Sequence, residues 1–337
     1  MRVLVILFFV LAAGQVSANN ENVVNIYSSR QSQLIQPVLK AFTKDTGIKV
    51  NLITGKDDAL IERIRREGPN TQADILLTAD AGRLSRAKQA KILQPIKSSI
   101  LFRSIPANLR DPENTWFGLT YRSRVIFYKK STINPNQLST YEDLADPKWK
   151  GRICVRSSDS IYNQSLVASM IAAKGMPFAE KWVKGLVNNF SRKPQGGDRD
   201  QIKAVASGAC DIAIANTYYY AQMLFGGDKR QKGAAEQVGI FWPNQDDRGA
   251  HINISGAGIT AAAKHKANAI KLLEYMLEDV VQGWYSTVNG EYPVKPGVPA
   301  DTRLQKWGKF KTDALNLSSL GRFNAQAVQA MDKGRWR

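Results

Sequence analysis

Three consecutive tyrosines follow a short apolar run and are the residues of this sequence best suited to binding chemistry. Residues 212–215 predict a buried strand that continues through Tyr218, Tyr219 and Tyr220. In open α/β sheets, ligands bind beyond the carboxyl ends of strands, which is where these phenols fall. The alternative is that the rings simply pack against the sheet, since aromatic residues are common in strands.

Two further tyrosines stand at the ends of predicted elements. Tyr162 opens a predicted helix after residues 157–160, where unpaired amides and the positive helix end favour an anion or a phenolate. Tyr27 ends the first predicted strand, residues 23–27. Packing explains any one of these residues, but several tyrosines at strand ends or helix starts form a less ordinary set.

No familiar catalytic motif accompanies the tyrosines. Residues 256–258 lack the third glycine of a dinucleotide fingerprint, and residues 54–57 lack the rest of a phosphate loop. The two histidines, His251 and His265, stand in no metal-ligand spacing or nucleophile motif. An enzyme with a tyrosine as acid or base would need a partner group, so a binding protein is favoured.

The N-terminus has the pattern of a cleaved secretory signal peptide. Arg2 precedes an apolar stretch at residues 3–13, and small residues at 16 and 18 suit cleavage after Ala18. The alternative is an uncleaved anchor, for which the apolar stretch is short. The sequence therefore predicts an exported protein with no nucleic-acid partner.

The composition is strongly basic. The net charge is +18, and removal of residues 1–18 takes away Arg2 and no acid, leaving +17. The basic residues are scattered rather than clustered, which favours anionic ligands or an acidic envelope surface over nucleic acid.

Cys154 and Cys210 are the only cysteines. An exported protein meets an oxidising compartment, so one disulfide is predicted, with two buried free thiols as the alternative.

The mature chain of roughly 319 residues exceeds the usual single-domain size, so two lobes are expected. Strands alternate with helices, which predicts an α/β fold. A long strand at residues 118–128 is suited to crossing between lobes, and residues 252–262 to returning. Near the C-terminus, residues 324–331 are predicted to be helical and residues 333–337 to fray.

Five segments, spread over essentially the whole mature chain, form a recognisable set: NIYSSR (25–30), YRSRV (121–125), IYNQS (161–165), ANTYY (215–219) and EYPV (291–294). Through these segments and their order, the sequence resembles the ferric-ion-binding periplasmic proteins of ABC iron uptake. Within that family it is most similar to the branch that binds iron mainly through tyrosines.

This resemblance implies a two-lobed periplasmic binding protein of type II. Each lobe would be a mixed sheet flanked by helices, and crossing strands would join the lobes. The expected division is residues 19–118 with 257–294 for the first lobe and 119–256 for the second. Residues 295–337 would form a C-terminal helical segment on either lobe.

The resemblance also implies a set of site residues. The iron ligands would be Tyr162, Tyr218 and Tyr219, and Arg122 or Arg124 would hold a synergistic anion such as carbonate. Tyr220 is expected to pack.

The first lobe departs from the family pattern. Gln31 and Ser32 occupy positions where some relatives have a histidine and a tyrosine as ligands, and Tyr27 matches a structural position. The sequence therefore favours a site without a ligand from the first lobe. The alternative is that Tyr27 binds as a fourth phenolate, with an arginine balancing the site in place of an anion.

The resulting prediction is a monomeric periplasmic protein that captures Fe(III) and delivers it to an ABC transporter permease, without catalysis. The alternative is a binder of an anionic or small organic solute on the same fold.

Overall fold

The computed structural model describes residues 22–337, so the predicted signal peptide lies outside the described residues. The strands are β1 (Val23–Ser28), β2 (Lys49–Thr54), β3 (Ile75–Ala79), β4 (Phe117–Lys129), β5 (Ile153–Cys154), β6 (Ile212–Asn216), β7 (Val238–Phe241), β8 (Ile252–Ile259) and β9 (Tyr292–Pro293). The α-helices are α1 (Gln36–Thr46), α2 (Asp57–Glu67), α3 (Ala81–Gln89), α4 (Ser99–Ser104), α5 (Ile161–Lys174), α6 (Met176–Asn188), α7 (Asp198–Ser207), α8 (Thr217–Phe225), α9 (Lys229–Glu236), α10 (Lys266–Tyr275), α11 (Asp279–Asn289), α12 (Thr302–Gln305), α13 (Ser318–Arg322) and α14 (Asn324–Lys333).

The long strand β4 is shared by two groups of strands. Its first part pairs antiparallel with β8 and β9, and β8 continues through β3 and β1 to β2. Its last part pairs antiparallel with β6 and β7, and β6 continues to β5. Because β1 pairs in parallel with β2 and β3, the sheet is mixed. The α/β prediction is confirmed, and the strand predicted at residues 118–128 is the one that both groups share.

The second half of β4 is covered on both faces. Val125, Ile126 and Phe127 are consecutive and fully buried. Ile126 belongs to the large core cluster, whereas Val125 and Phe127 belong to a separate cluster on the other face with residues of α7 and α8. A continuous apolar run is what a strand buried between two layers requires. Among residues 22–337, no helix has both the length and the apolar character of a membrane span.

The tyrosine segment is divided between a strand and a helix. β6 ends at Asn216 and Thr217 begins α8, so the prediction that the strand continues through Tyr220 was wrong. An extended chain would point Tyr218 and Tyr219 to opposite faces of the sheet, whereas successive helical residues are about 100° apart. The helical turn therefore lets both rings face one side, with their centroids 4.1 Å apart.

A disulfide joins β5 to the residues just before the neighbouring strand β6. Cys154 ends β5, and Cys210 lies two residues before β6. Their sulfurs are bonded, so the disulfide prediction is confirmed over the alternative of two free thiols. The two cysteines are 56 residues apart in sequence, and closing such a loop stabilises the fold by about 4 kcal/mol on the chain-entropy model. The closed loop contains α5, the helix that carries Tyr162.

The C-terminal segment packs against elements from distant parts of the chain. α13 lies against α3 and α5, and α14 lies against α5 and α6. The buried indole of Trp336 packs edge-on against Phe190 and donates to the carbonyl oxygen of Arg156 at 2.8 Å. The prediction that residues 333–337 fray was therefore wrong for Trp336, because an indole that is buried with its N–H satisfied anchors the chain end.

Candidate metal centre

Three phenol groups converge where two helices begin. Tyr162 is the second residue of α5, and Tyr218 and Tyr219 are the second and third residues of α8. The hydroxyl of Tyr218 donates to the hydroxyl oxygen of Tyr162 at 3.2 Å. A helix start carries unpaired backbone N–H groups and a partial positive charge, which favour a phenolate nearby. The structure thus brings the three predicted ligand residues to one point.

These phenols line a partly open cavity of about 150 Å³. The lining residues are Ser29, Arg30, Gln31, Leu34, Ala79, Arg122, Tyr162, Arg199, Tyr218, Tyr219, Gln222, Ser255 and Glu291. The wall opposite the tyrosines comes from the segment after β1, the end of β3, β8 and the residue before β9. The cavity therefore lies between the two groups of strands that β4 joins.

Arg122 of β4 brings an unpartnered positive charge to the cavity. The residue is 1% exposed, and none of its three guanidinium nitrogens has a hydrogen-bond partner among residues 22–337. Its guanidinium carbon lies 5.6 Å from the ring centroid of Tyr162. Because a buried guanidinium without hydrogen-bond partners has lost the bonds that water would supply, this group is suited to holding an anion.

Arg124, the other residue predicted to hold an anion, does not line the cavity. Its guanidinium lies 3.0 Å from the carboxylate of Asp198 and donates to the side-chain oxygen of Asn163 at 2.6 Å. It also donates to the carbonyl oxygen of Ile214 at 3.1 Å. Since Asn163 follows Tyr162, these bonds support the start of α5 from behind the cavity.

An ion pair faces the tyrosines across the cavity. Arg30 Nη2 lies 2.8 Å from Glu291 Oε2, and both side chains bond to the hydroxyl of Ser255. Burial acts to raise the pKa of Glu291, but the charge and hydrogen bond of Arg30, together with the charge of Arg122 and the hydrogen bond from Thr120, lower the pKa overall. The carboxylate is therefore ionised and balanced by Arg30.

The sequence analysis did not assign Arg30, Glu291 or Arg199 to the site. Arg30 and Glu291 fall in segments 25–30 and 291–294, two of those that carry the family resemblance, so a signal was present. Arg199 of α7 lies 5.3 Å from the ring centroid of Tyr219 and donates to Gln222. No motif in the sequence distinguishes Arg199 from the many other basic residues.

Burial disfavours ionisation of the phenols of Tyr218 and Tyr219. Burial raises the pKa of Tyr218 well above its ordinary value, and the neighbouring Tyr162 and Tyr219 raise it further. Burial raises the pKa of Tyr219 as well, with Tyr162 and Asp198 acting in the same direction. Both phenols are neutral at pH 7 unless a cation compensates the phenolate charge.

The oxygens of three tyrosines are the potential metal ligands that line the cavity. Among residues 22–337, His, Cys, Asp and Glu form no cluster of three that could hold a metal ion. Phenolate combines an oxygen donor with negative charge, which suits a hard, highly charged cation.

Two other tyrosines lie away from the cavity. The hydroxyl of Tyr27 donates to the carboxylate of Glu67 at 3.2 Å, and the guanidinium of Arg63 covers its ring. The hydroxyl of Tyr220 donates to the carbonyl oxygen of Val238 at 2.7 Å. Both phenols thus have partners of their own.

The fold, with a cavity between the two groups of strands that β4 joins, is that of a protein that captures a solute between two lobes. Residues 27–283 match the bacterial extracellular solute-binding protein family, and the chain belongs to this family. The predicted class, a two-lobed periplasmic binding protein of type II, is confirmed by this match and by solved structures of the same fold. The chain is accordingly a solute-binding protein rather than an enzyme.

Three similar proteins match more than nine tenths of this chain. Iron uptake protein A1 of Synechocystis sp. is 48% identical over 314 residues, which are 93% of this chain and 87% of the relative. A Trichodesmium protein, solved in complex with iron and citrate ligands, is 52% identical with a TM-score of 0.91, over 94% of this chain and 100% of that one. Ferric iron-binding protein A of Mannheimia haemolytica, in an open conformation, is 43% identical with a TM-score of 0.88, over 94% and 99%.

Proposed function

We propose that the protein captures ferric iron through the phenolates of Tyr162, Tyr218 and Tyr219 and delivers it to an ABC transporter. The convergence of three phenols on one cavity carries the proposal. Relatives named for iron uptake and for ferric iron binding support iron as the solute.

The proposed ligands select for a trivalent cation. Ionising a free tyrosine at pH 7 costs about 4 kcal/mol, so three phenolates cost roughly 12 kcal/mol. The raised pKa values of Tyr218 and Tyr219 increase this cost. Fe(III) offsets it through three unit charges at short distance, whereas Fe(II) and other divalent metals offset less.

Arg122 is the proposed anchor of an anion that completes the iron coordination. Three phenolates neutralise Fe(III) and leave coordination positions open. A small anion such as carbonate would bond to iron on one side and to the unpartnered guanidinium of Arg122 on the other. The related structure that holds iron together with citrate supports an anion beside the metal.

The periplasm and an inner-membrane permease complete the proposal. The signal-peptide pattern at residues 1–18 and the periplasmic ferric iron-binding relatives support this location. The expected lobes are residues 19–118 with 257–294 and residues 119–256. The partners of β4 change between Ser123 and Arg124, which supports a crossing between the lobes within β4, a few residues after the expected boundary.

Visible spectroscopy tests the iron site. Purified protein mixed with ferric citrate should develop a phenolate-to-iron charge-transfer band, and the double variant Tyr218→Phe, Tyr219→Phe should lack it. Tyr220→Phe is a matched control, because this adjacent phenol is bonded to Val238 and should leave the band unchanged. A wild-type protein that stays colourless would refute the proposal.

A further inference from the structure

Asp80 is a buried carboxylate directly behind the cavity. It follows Ala79, which ends β3 and lines the cavity, and its own side chain is fully buried. Its backbone φ is 132°, a conformation that residues other than glycine rarely adopt and that costs free energy. The surrounding structure therefore holds a charged residue in a strained position beside the proposed iron site.

Three groups donate hydrogen bonds to the Asp80 carboxylate. It accepts from the amide of Gly82 at 2.7 Å, from the hydroxyl of Ser165 at 3.0 Å and from Nδ2 of Asn253 at 2.8 Å. The Gly82 amide bonds to Oδ1 and the Asn253 amide nitrogen to Oδ2, so each carboxylate oxygen accepts from a group that can only donate, which favours the ionised form. Asp80 is a buried negative charge.

Asn253 connects Asp80 with Arg122. In the antiparallel pair of β4 and β8, Asn253 lies directly opposite Arg122, so the two side chains share one face of the sheet. Asn253 donates to Asp80 and accepts from the amide of Ala81 at 2.9 Å, which fixes the carboxylate on that face. Burial raises the pKa of Asp80, and the charge of Arg122 is the strongest influence in the opposite direction.

Ser165 connects Asp80 with the tyrosine helix. It lies on α5 three residues after Tyr162, on the same side of the helix. Its bond to Asp80 joins the end of β3, in the first group of strands, to the helix that presents Tyr162 to the cavity.

We propose that Asp80 is a positioning residue of the iron site, whose charge balances Arg122 and whose bond to Ser165 fixes the start of α5. The inference rests on the proposed function, since it takes Fe(III) and an anion as the ligands of the cavity. Asp80 weakens the attraction of Arg122 for the anion and so keeps the anion exchangeable. Removing this negative charge should leave Arg122 uncompensated and strengthen anion binding.

Asp80→Asn tests this effect, because it removes the charge and preserves the size of the side chain. Iron-loaded protein in bicarbonate-free buffer is titrated with bicarbonate, and the shift of the charge-transfer band gives the Kd. We expect the Kd to fall about tenfold in Asp80→Asn. Asp74→Asn is the matched control, since Asp74 is an equally buried carboxylate just before the other end of β3, and its Kd should equal that of the wild type. An unchanged Kd in Asp80→Asn would overturn the proposal.

Thermal unfolding of the iron-free protein provides a test that needs no metal. The Tm of the wild type, Asp80→Asn, Arg122→Gln and the double variant form a double-mutant cycle. If Asp80 balances Arg122, the double variant should unfold at a higher temperature than the two single changes together predict. Additive changes in Tm would contradict the charge pairing. A wild type that fails to bind iron would instead refute the proposed function and leave this cycle interpretable.

Discussion

At the scale of single residues, Tyr218 and Tyr219 are adjacent in sequence and line the same cavity. Their rings are 4.1 Å apart, and both phenols resist ionisation because burial raises their pKa values. The proposed site therefore starts protonated, and iron must displace those protons. The chemistry of loading is consequently coupled to pH.

Iron binding should release at least two protons per iron at pH 7, because Tyr218 and Tyr219 are protonated before binding and ionised as ligands. Since the metal-free state holds the protons, affinity falls on acidification, by about 100-fold per pH unit for two protons. Calorimetry in two buffers of different ionisation enthalpy measures the proton count, after correction for the iron chelator. Tyr218→Phe should release one proton fewer, and a count of zero for the wild type would contradict phenolate ligation.

Arg122→Gln should weaken iron binding in bicarbonate buffer by about 10- to 100-fold, because the proposed anion loses its guanidinium partner. Competition with a chelator at fixed bicarbonate measures the loss. Lys203→Gln removes one positive charge from the exposed face of α7 and controls for the general effect of net charge. Equal losses in the two variants would argue against an anion held by Arg122.

At the scale of elements, long periodic segments were the most predictable. The helix predicted to open at Tyr162 spans Ile161–Lys174, and the strand predicted at residues 118–128 spans Phe117–Lys129. The tyrosine segment was mistaken for a continuous strand because a short apolar run followed by aromatic residues fits both periodicities. Only the packing of α8 decides between them.

The cavity illustrates a different limit of sequence reasoning. Tyr162 was placed at a helix start from its local sequence, and Tyr218 and Tyr219 were singled out by a short motif of the family resemblance, so these predictions needed no tertiary information. Arg199 and Glu291 are 92 positions apart, and their approach depends on tertiary contacts that no local pattern encodes. The unpartnered state of Arg122, in contrast to the paired Arg124, likewise appears only in the fold.

His251, just before β8, should make stability depend on pH. Burial lowers its pKa well below 6.5, and Arg248 and Arg124 act in the same direction. Below pH 6.5 the unfolded chain binds a proton that the folded protein does not. The free energy of unfolding therefore decreases as the pH is lowered, by at most about 1.4 kcal/mol per pH unit. The stability contribution is fully present above pH 6.5.

Urea unfolding at pH 7.5, 6.5 and 5.5 measures this dependence. His251→Gln should reduce the slope of unfolding free energy against pH in the acidic part of the range. His265→Gln, at the other histidine, is measured alongside to show whether the effect is specific to His251. Identical slopes in the wild type and His251→Gln would show that His251 does not set the dependence.

At the scale of the whole molecule, the C-terminal segment ties distant elements together. Trp336→Ala should lower the free energy of unfolding by about 3–5 kcal/mol, because it removes a fully buried indole and its bond to the Arg156 carbonyl. Guanidinium unfolding should show a lower midpoint. Arg337→Ala, one residue further at an exposed position, should change stability by less than about 0.5 kcal/mol. Equal midpoints for the two variants would mean that the chain end contributes no stability.

The contact between Trp336 and Arg156 spans 180 residues of sequence. Long-range contacts of this kind form late in folding, and this one cannot form until residue 336 has been synthesised. The packing of α13 and α14 on α5 is subject to the same order of events. A chain interrupted before residue 318 would therefore contain every proposed iron ligand and still lack the support behind the helix of Tyr162.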